Sequence, residues 1–389
     1  MKIGIVLSST PSYSETFFLS KIEGLKQSGF QVILFAQRNV NDFSLCDVKL
    51  APEVNKRNSL YQFLKIVSVL FSLFVMHFST FFRFIRLERK EKKSWTQIVK
   101  NLYNNSHILK SKLDWVHFGF ATIAIESEHV AKAIGAKMAV SLRGYDMDVY
   151  PKEHPNCYTS IFKNVDKVHA ISNYILRQGY LYGLSEDTPF KIITPAINID
   201  LFKNGNGLSL NSNTFLTVAR LHWIKGLEAS IKAMSLLKKK VLDFRYTIVG
   251  EGQKYKELKD LITKLELTDS VFLVGKKSHQ DVVDFMRQSH IYIQYSLSEG
   301  FCNAVLEAQA MGCLCVVSDG GALPENVIDN ETGWVVPKNN PTQLANELAK
   351  VIGLPIEKKQ NISKNAMQRA EEAFNLKSQQ LAFVDFYKE

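Results

Sequence analysis

The residues best suited by type and spacing to do chemistry lie between Ser296 and Ala308, in the stretch Ser-Leu-Ser-Glu-Gly-Phe-Cys-Asn-Ala-Val-Leu-Glu-Ala. Its two carboxylates, Glu299 and Glu307, stand eight positions apart around Gly300, after an apolar stretch that predicts a strand. Acid groups, a turn and the start of a helix would then lie together at the opening of one site. That combination suits a ligand that carries both phosphates and hydroxyls.

The predicted helix start could hold a phosphate, because the first N–H groups of a helix have no partner within it. These groups belong to Phe301, Cys302 and Asn303. Helical side chains tilt toward the N-terminus, so the Glu307 carboxylate is expected to reach back and accept hydrogen bonds from two neighbouring hydroxyls, as on ribose. Glu299, in the loop, is expected to face a sugar ring.

A pair of cations follows another predicted strand, Thr214–Val218. The sequence continues Ala-Arg-Leu-His-Trp-Ile-Lys-Gly, which places Arg220 and Lys225 in a strand-to-helix loop. They could clamp a diphosphate, one through its fork and one as a point charge. The alternative is two solvated surface cations. The next strand ends at Gly250, where a tight turn would let a ligand approach the backbone.

Alternating strand and helix signals position these groups. In the first half, a helix is predicted at Glu15–Gln27 among strands at Ile3–Leu7, Gln31–Phe35, Asp114–Phe118, Ala136–Leu142 and Lys167–Ile171. After a Gly-, Asn- and Ser-rich linker at Lys203–Asn213, a second series of strands and helices begins. Repeated units of this kind favour parallel sheets covered on both faces.

The predicted fold class is therefore α/β, with two Rossmann-like, doubly wound domains that face each other across a cleft. We predict an N-terminal domain over residues 1–203, with an apolar and basic insert at about 60–112, and a C-terminal domain over 204–370. A last helix within 371–389 is expected to pack back on the N-terminal domain. The sequence contains neither GxGxxG nor Walker A, which argues against an NAD dehydrogenase or a P-loop NTPase.

The length, charge and cysteine content of the chain indicate which kinds of binding partner and cellular location to expect. With 389 residues the chain exceeds one ordinary core, and its formal net charge of +10 favours anionic partners such as phosphate groups or an acidic membrane surface. The five cysteines show no zinc-type spacing, and Met1-Lys2 runs straight into the first strand without a secretory signal. A cytoplasmic protein is therefore expected.

The stretch from Ile66 to Phe82 contains no Lys, Arg, Asp or Glu, and basic residues cluster after it, from Arg83 to Lys93. Three interpretations are open: a helix buried in or capping the first domain, an aromatic-rich helix in a membrane interface with its basic tail on anionic lipid, or a transmembrane span. The stretch is shorter than the about 20 residues that a span needs, which disfavours the span.

Taken together, the motifs resemble those of the family 4 retaining glycosyltransferases, which have the two-domain GT-B fold. The resemblance covers nearly the whole chain and rests on Ser12–Phe17, His117-Phe118-Gly119, Gly144-Tyr145-Asp146, Asn198–Phe202, Arg220 with Lys225-Gly226, Gly250-Glu251-Gly252, Ser296–Phe301, Glu307-Ala308, Gly320–Glu325 and Thr332-Gly333. The Ser-Glu-Thr-Phe opening is most similar to the bacterial colanic-acid and exopolysaccharide branch.

By this resemblance, Arg220 and Lys225 hold the donor diphosphate, Glu307 holds the nucleotide ribose, and Glu299 contacts donor-sugar hydroxyls beside the reacting carbon. His117, at a strand end of the first domain, is expected to meet the donor sugar from across the cleft. A buried core imidazole is the alternative for His117.

On the acceptor side, the resemblance implies Asp146, which follows a strand end, and the loop that carries Ser14 and Glu15 and borders the phosphates and acceptor. The sequence departs from the family pattern here. Arg143 stands where members often have His, and Ser12 and Ser14 replace a Gly-Gly pair. The acceptor-side roles are therefore less firmly indicated than the donor-side ones.

These inferences predict a hexosyltransferase that moves a sugar from a nucleotide diphosphate sugar, such as a UDP- or GDP-sugar, to a hydroxyl of a glycan or lipid-linked glycan in bacterial surface polysaccharide synthesis. The resemblance implies retention at the anomeric carbon, with a departing phosphate oxygen accepting the acceptor's proton. No Asp-x-Asp site stands where a metal would be needed, so catalysis without metal or cofactor is expected, through charge stabilisation by Arg220, Lys225 and helix amides.

Two other classes stay open. A nucleotide-sugar epimerase with the same two-domain fold would need no glycan acceptor. A basic membrane- or nucleic-acid-binding protein would explain the net charge, although no nucleic-acid reading motif accompanies it, and nucleic acid is not an expected partner. An enzyme peripheral to the inner face of the cytoplasmic membrane, attached through residues 65–93, fits the charge better.

Overall fold

The computed structural model describes residues 1–11, 16–40, 43–55, 57–202, 213–241 and 243–388. The predicted site residues Ser14 and Glu15, and residues 203–212 of the predicted linker, lie outside the described residues. The chain divides into two compact units. The first contains residues 1–171, 175–193 and the segment from Gln379 onward, and the second contains 172–174 and 194–378.

The first unit is built on a seven-stranded parallel sheet. Its strands are β1 (Lys2–Ser9), β2 (Gln31–Arg38), β3 (Asp47–Leu50), β4 (Trp115–Phe118), β5 (Lys137–Leu142), β6 (Lys167–Ala170) and β7 (Phe190–Ile192), in the order β3-β2-β1-β4-β5-β6-β7. Central strands such as β1 and β4 are buried on both faces, as expected when helices cover both sides. The strand order reverses between β1 and β4.

Helices of the first unit pack on this sheet and extend beyond it. They are α1 (Thr16–Gln27), α2 (Ser59–Met76), α3 (Phe78–Lys90), α4 (Trp95–Asn104), α5 (Ser106–Leu109), α6 (Ala121–Ala124), α7 (Val130–Ile134), α8 (Gly144–Asp148), α9 (Tyr150–Glu153), α10 (Thr159–Asn164) and α11 (Asn173–Leu181). Phe18, Ile22 and Leu25 of α1 are buried in the core, which agrees with the helix predicted over Glu15–Gln27.

The second unit is built on a six-stranded parallel sheet. Its strands are β8 (Thr214–Val218), β9 (Arg245–Val249), β10 (Val271–Leu273), β11 (Ile291–Gln294), β12 (Leu314–Ser318) and β13 (Trp334–Val336), in the order β10-β9-β8-β11-β12-β13. Here the order reverses between β8 and β11. In open α/β sheets, the crevice beyond such a reversal is where ligands bind.

Helices cover both faces of this second sheet, over two separate apolar clusters. They are α12 (Leu227–Lys238), α13 (Tyr255–Lys264), α14 (His279–Arg287), α15 (Asn303–Ala310), α16 (Leu323–Asn326), α17 (Pro341–Ile352) and α18 (Ile356–Ala373). The chain then continues into α19 (Leu376–Lys388). From Gln379 onward, α19 belongs to the first unit. Two doubly wound parallel sheets agree with the predicted fold class.

The apolar stretch of the insert does not form a core helix. The structure breaks it at His77 into α2 and α3, and Leu73 is the one buried residue of α2. The interpretation of this stretch as a buried helix is therefore wrong, because the first unit leaves most of α2 uncovered. Among the described residues, α2 alone is long and apolar enough to cross a membrane, a criterion that single helices of many soluble proteins also meet.

A buried polar network holds α3 against the rest of the first unit. The Glu88 carboxylate accepts hydrogen bonds from His129 Nδ1 at 2.6 Å, Asn101 Nδ2 at 2.7 Å and Lys93 Nζ at 3.1 Å. Burial alone would raise the pKa of Glu88, but these hydrogen bonds and the charge of Lys93 outweigh it and hold the pKa below its ordinary value. Glu91 extends the network, accepting from Ser160 Oγ at 2.7 Å.

Candidate active site

The predicted donor-side residues of the second unit come from loops that follow adjacent strands. Arg220 and Lys225 lie in the loop after β8, and Glu299 lies in the loop after β11. Because β8 and β11 are neighbours where the strand order reverses, the two loops meet beyond the same edge of the sheet. The structure therefore brings Lys225 and Glu299 together.

Lys225 and Glu299 form a mostly buried ion pair. Lys225 Nζ donates to Glu299 Oε1 at 2.6 Å, and the same oxygen accepts from Ser296 Oγ at 2.8 Å and Gln294 Nε2 at 3.1 Å. Within the described residues, the other oxygen, Oε2, accepts no hydrogen bond. The carboxylate is thus fixed through one oxygen, and the other remains without a partner among the described residues. The ammonium keeps two of its three donors.

The backbone of the two loops fits together through a glycine. Gly226 has φ of +61°, and a Cβ built there would lie 2.0 Å from the carbonyl oxygen of Tyr295. The Leu297 N–H also donates to the Ile224 carbonyl at 2.7 Å. A side chain at position 226 would push the loops apart, so this glycine sets the position of Lys225 beside Glu299.

Gly250, where a tight turn is predicted to let a ligand approach the backbone, lies close against the backbone of the neighbouring loop. A Cβ on Gly250, whose φ is +147°, would lie 1.9 Å from the Ala219 carbonyl oxygen. The adjacent Arg220 is exposed, and it pairs with no carboxylate in the described part of the chain. Its guanidinium is therefore available to an anion, as the diphosphate role requires.

The helix start at α15 is only partly as predicted. Cys302 precedes its first residue, and the Cys302 N–H donates to Asn326 Oδ1 at 3.1 Å, so this amide is not available to a phosphate. The Cys302 prediction is corrected in that respect. No side chain caps the helix at Cys302, which leaves the first turn from Asn303 open to an anion. Burial raises the pKa of the Cys302 thiol to about 12, which disfavours the thiolate form.

The other members of the turn are packed. The Gly300 carbonyl accepts from Ser172 Oγ at 2.8 Å, and the Phe301 ring lies 5.6 Å from that of Phe374. These contacts fix the path of the chain between Glu299 and α15. Gly300 and Phe301 thus serve the loop through their backbone and packing.

Glu307 lies half-buried in the middle of α15. Burial raises the pKa of its carboxyl group to about 7, and its carboxylate has no hydrogen-bond partner among the described residues. A carboxyl group with no protein partner that is partly desolvated is poised to accept hydrogen bonds from a ligand.

The prediction that His117 meets a donor sugar is wrong. The His117 side chain is fully buried in the first unit, and both ring nitrogens bond to protein: Nε2 lies 2.9 Å from Ser141 Oγ and Nδ1 lies 2.5 Å from Tyr387 OH. Lys21 Nζ also lies 3.0 Å from His117 Nδ1. The alternative of a core imidazole holds instead.

The hydrogen bonds around His117 fix its proton. His169 Nε2 faces the carbonyl of Ile193 at 2.9 Å and must donate, so His169 Nδ1 accepts from the Ser141 hydroxyl at 2.8 Å. The Ser141 oxygen then accepts from His117 Nε2–H, which leaves Nδ1 as an acceptor for Tyr387. Burial, with the nearby positive charge of Lys21, lowers the pKa of His117 well below its ordinary value. This imidazole is neutral and structural.

Asp146, predicted to line the acceptor side, is also turned inward. Its Oδ1 accepts from the Thr122 N–H at 3.1 Å and the Thr122 hydroxyl at 2.9 Å, and burial raises its pKa to about 6. The carboxylate thereby fixes the start of α6, and an acceptor-lining role is incorrect because the group is enclosed. Arg143 lies at the end of β5, donates to the Gly119 carbonyl at 3.0 Å and stacks 3.6 Å from the Phe17 ring.

Four residues that support the site were not predicted. Gln294 and Ser296 position Glu299, Asn326 occupies the Cys302 amide, and Glu325 accepts from the backbone of Asn173 and Tyr174 at 2.9 and 2.7 Å. Ser296 and Glu325 were visible in the sequence only as members of the motifs Ser296–Phe301 and Gly320–Glu325. The described residues contain no cluster of three or more His, Cys, Asp or Glu that could hold a metal ion.

Comparison with known structures places this fold in a class. Among solved structures, HepE of Anabaena in complex with UDP-glucose aligns with a TM-score of 0.72 and 16% identity over 100% of this chain and 99% of that one. A glycosyltransferase from Rickettsia africae aligns with a TM-score of 0.69 and 21% identity over 100% and 97%. The fold is therefore GT-B, as predicted.

Residues 198–369 match the family described as Glycosyl transferases group 1. The chain thus carries a group 1 glycosyltransferase domain, which confirms the family resemblance. The putative colanic acid biosynthesis glycosyltransferase WcaL of Escherichia coli is 25% identical over 96% of both chains. The amylovoran biosynthesis glycosyltransferase AmsK of Erwinia amylovora is 29% identical over 59% of this chain and 58% of its own length.

Proposed function

We propose that this protein transfers a hexose from a nucleotide diphosphate sugar to a hydroxyl of a glycan or polyprenyl-linked glycan in exopolysaccharide synthesis, with retention at the anomeric carbon. The observation that carries the proposal is the Lys225–Glu299 pair at the strand-order reversal, with an exposed Arg220 and an open helix start in the same unit. The printed names of WcaL and AmsK support the exopolysaccharide context, and UDP complexes of a structural neighbour support the donor.

The proposed chemistry needs no protein nucleophile. The bond from the anomeric carbon to the diphosphate oxygen breaks, and a bond to the acceptor oxygen forms on the same face. The acceptor's proton passes to the departing phosphate oxygen. Arg220, Lys225 and the first amides of α15 would stabilise the charge that develops on the diphosphate, while Glu299 Oε2 orients a sugar hydroxyl.

Nucleotide-sugar binding and transfer test this proposal together. A panel of UDP- and GDP-sugars should raise the thermal unfolding midpoint selectively for the true donor, because binding to the folded state stabilises it. Release of nucleotide diphosphate should then require a glycan acceptor. Isomerisation of the donor without an acceptor would instead identify an epimerase, and absence of any shift across the panel would contradict the donor assignment.

Metal-independent catalysis is part of the proposal, since Arg220, Lys225 and helix amides supply positive charge to the diphosphate. Transfer measured after chelation and dialysis is expected to equal that of the untreated enzyme. Activity that is lost and then restored only by a divalent ion would refute this part. A known metal-dependent transferase treated in parallel serves as the control for the chelation step.

Nucleotide affinity is expected to rise with pH through about 7 because of Glu307. The ionised carboxylate accepts two ribose hydroxyls better than the acid does, and half-ionisation falls at that pH in the free protein. Titration calorimetry with UDP and GDP should show roughly tenfold tighter binding at about pH 8 than at about pH 6. Glu307→Gln should bind weakly at both, and a pH profile unchanged by this substitution would remove Glu307 from the ribose site.

The same raised pKa affects stability with the opposite sign. The folded-state pKa of Glu307 lies above its ordinary value, so ionisation opposes folding and stability falls as the pH rises toward 7. Glu307→Gln is therefore expected to unfold at a higher temperature than the wild type above neutral pH. A higher unfolding temperature together with weaker nucleotide binding would distinguish a ligand-binding role of Glu307 from a structural one.

We further propose a cytoplasmic protein that works at the inner face of the cytoplasmic membrane, where a polyprenyl-linked acceptor would reside. The net charge of +10 and the exposed α2 support this location.

A further inference from the structure

The helix α2 turns apolar side chains away from the protein. A surface helix normally buries its apolar face and shows a polar one to water. In α2 the residues that recur at helical spacing on the outward face are instead large and apolar, and each is 40–68% exposed. They are Leu60, Phe63, Leu64, Val67, Phe71, Phe74 and Val75. This reversal leaves a continuous apolar surface along about 27 Å, the length of an 18-residue helix.

The outward stripe of α3 changes character along its length. Phe78 and Phe82 are exposed at its start, and their rings lie 4.7 Å apart. Arg86 and Lys90 follow on the same stripe at four-residue steps and are also exposed. At about 1.5 Å per residue, some 12 Å separates Phe82 from Lys90. The stripe therefore passes from aromatic to basic within about 12 Å.

The charge that this surface shows to the outside is positive. Arg86, Lys90 and Lys92 are exposed, and none of them pairs with a carboxylate in the part of the chain that the structure describes. The acidic residues of α3 and the turn after it, Glu88 and Glu91, point inward to hydrogen bonds with Asn101 and Ser160. An apolar face beside unpaired cations complements an anionic bilayer, which offers acyl chains beneath phosphates.

The surroundings of α2 indicate that it lies on a bilayer and does not cross it. The preceding strand β3 pairs with β2, and the following helix α3 is fixed by buried Phe84 and by the Glu88 network. Both ends of α2 thus return to the same unit. A transmembrane α2 would pull α3 away from that unit and expose Glu88.

We propose that α2 and the start of α3 form a membrane-docking surface for an anionic bilayer. The apolar face of α2, with Phe78 and Phe82, lies at the boundary of headgroups and acyl chains, while Arg86, Lys90 and Lys92 contact lipid phosphates. This deepens the proposed function, on which it rests for its purpose of meeting a lipid-linked acceptor. The docking itself depends only on the surface.

Sedimentation of the full-length protein with vesicles tests the inference. The wild type should partition onto phosphatidylglycerol vesicles far more than onto phosphatidylcholine vesicles. The variant Arg86→Gln/Lys90→Gln/Lys92→Gln should bind phosphatidylglycerol on the order of a hundredfold more weakly. The variant Phe71→Ser/Phe78→Ser/Phe82→Ser should lose at least about tenfold on the same vesicles.

A matched control removes exposed apolar residues elsewhere, through Leu181→Ser/Ile356→Ser/Leu381→Ser, and should bind vesicles as the wild type does. Unchanged binding by both α2–α3 variants would overturn the inference. A second result would also overturn it: the wild type binds no vesicles but self-associates, and the phenylalanine variant does not self-associate. The apolar face would then be an interface with a second copy of the chain.

The thermal shift with the nucleotide-sugar donor separates this inference from the proposed function. Membrane docking is supported if the phenylalanine variant still shows the thermal shift with the donor but no longer sediments with vesicles. A wild type that binds vesicles without any donor shift supports docking as well and refutes the transferase proposal. Variants whose unfolding midpoint matches that of the wild type exclude misfolding as the cause.

Discussion

Glu299→Ala is expected to slow sugar transfer by about 10² to 10³ while changing the donor dissociation constant only a few-fold. The substitution removes the oxygen proposed to orient a donor-sugar hydroxyl and also the partner that holds Lys225 at 2.6 Å. Both losses act on the transition state, in which charge develops on the diphosphate. Steady-state kinetics with saturating donor, beside equilibrium titration of the donor, separates the two quantities.

A double-mutant cycle shows whether the pair works as a unit. If Lys225 acts through its pairing with Glu299, then Lys225→Met with Glu299→Gln should be little slower than the slower single variant. Asp269→Ala is the matched control, since Asp269 also pairs with a lysine, Lys238 at 2.9 Å, but at an exposed position of the same unit. Equal, mild effects of all these substitutions would reduce the Lys225–Glu299 pair to a structural contact.

Glu88→Ala is expected to lower the free energy of unfolding by about 3 to 5 kcal/mol. The substitution removes a buried carboxylate with three hydrogen-bond partners and leaves the largely buried Lys93 and His129 without it. Chemical denaturation at neutral pH measures the loss. Lys100→Gln is the control, because its pair with Glu126 is exposed and should contribute less than about 1 kcal/mol.

The Glu88 effect should also depend on pH. The folded-state pKa of Glu88 lies below its ordinary value of 4.5, so its ionisation adds stability above that pH and the contribution disappears as the pH falls through the folded-state pKa. The stability difference between wild type and Glu88→Gln should therefore shrink on acidification. A difference that stays constant with pH would mean that the charge of Glu88 does not hold α3.

Strand and helix alternation predicted most of both sheets, because each central strand is an apolar run long enough to be recognised alone. The strands that escaped prediction, Asp47–Leu50, Phe190–Ile192 and Trp334–Val336, have three or four residues and lie toward the sheet edges. Their identity depends on a neighbouring strand that is distant in sequence. Local pattern carries too little information at that length.

The predicted placement of candidate residues agrees with the structure where it depends on loop position, and disagrees where it depends on the direction of a side chain. Lys225 and Glu299 follow adjacent strands, and the strand order brings them together. His117 also stands near a strand end, but it lies on the same face of the buried strand β4 as Trp115, and its partner Tyr387 is 270 residues away. No local signal marks that contact. The exposed face of α2 is a similar case, since composition alone does not say what covers it.

The contacts of Tyr387 also affect the order in which the two units complete their folding during synthesis. The first unit needs Phe383, Phe386 and Tyr387 to complete its core around Trp115 and His117, yet these residues are translated after the whole second unit. The second unit can fold as soon as its own segment emerges. The N-terminal unit, although made first, is finished last, and until then the amine of Lys21 and the imidazole of His117 stay open to water.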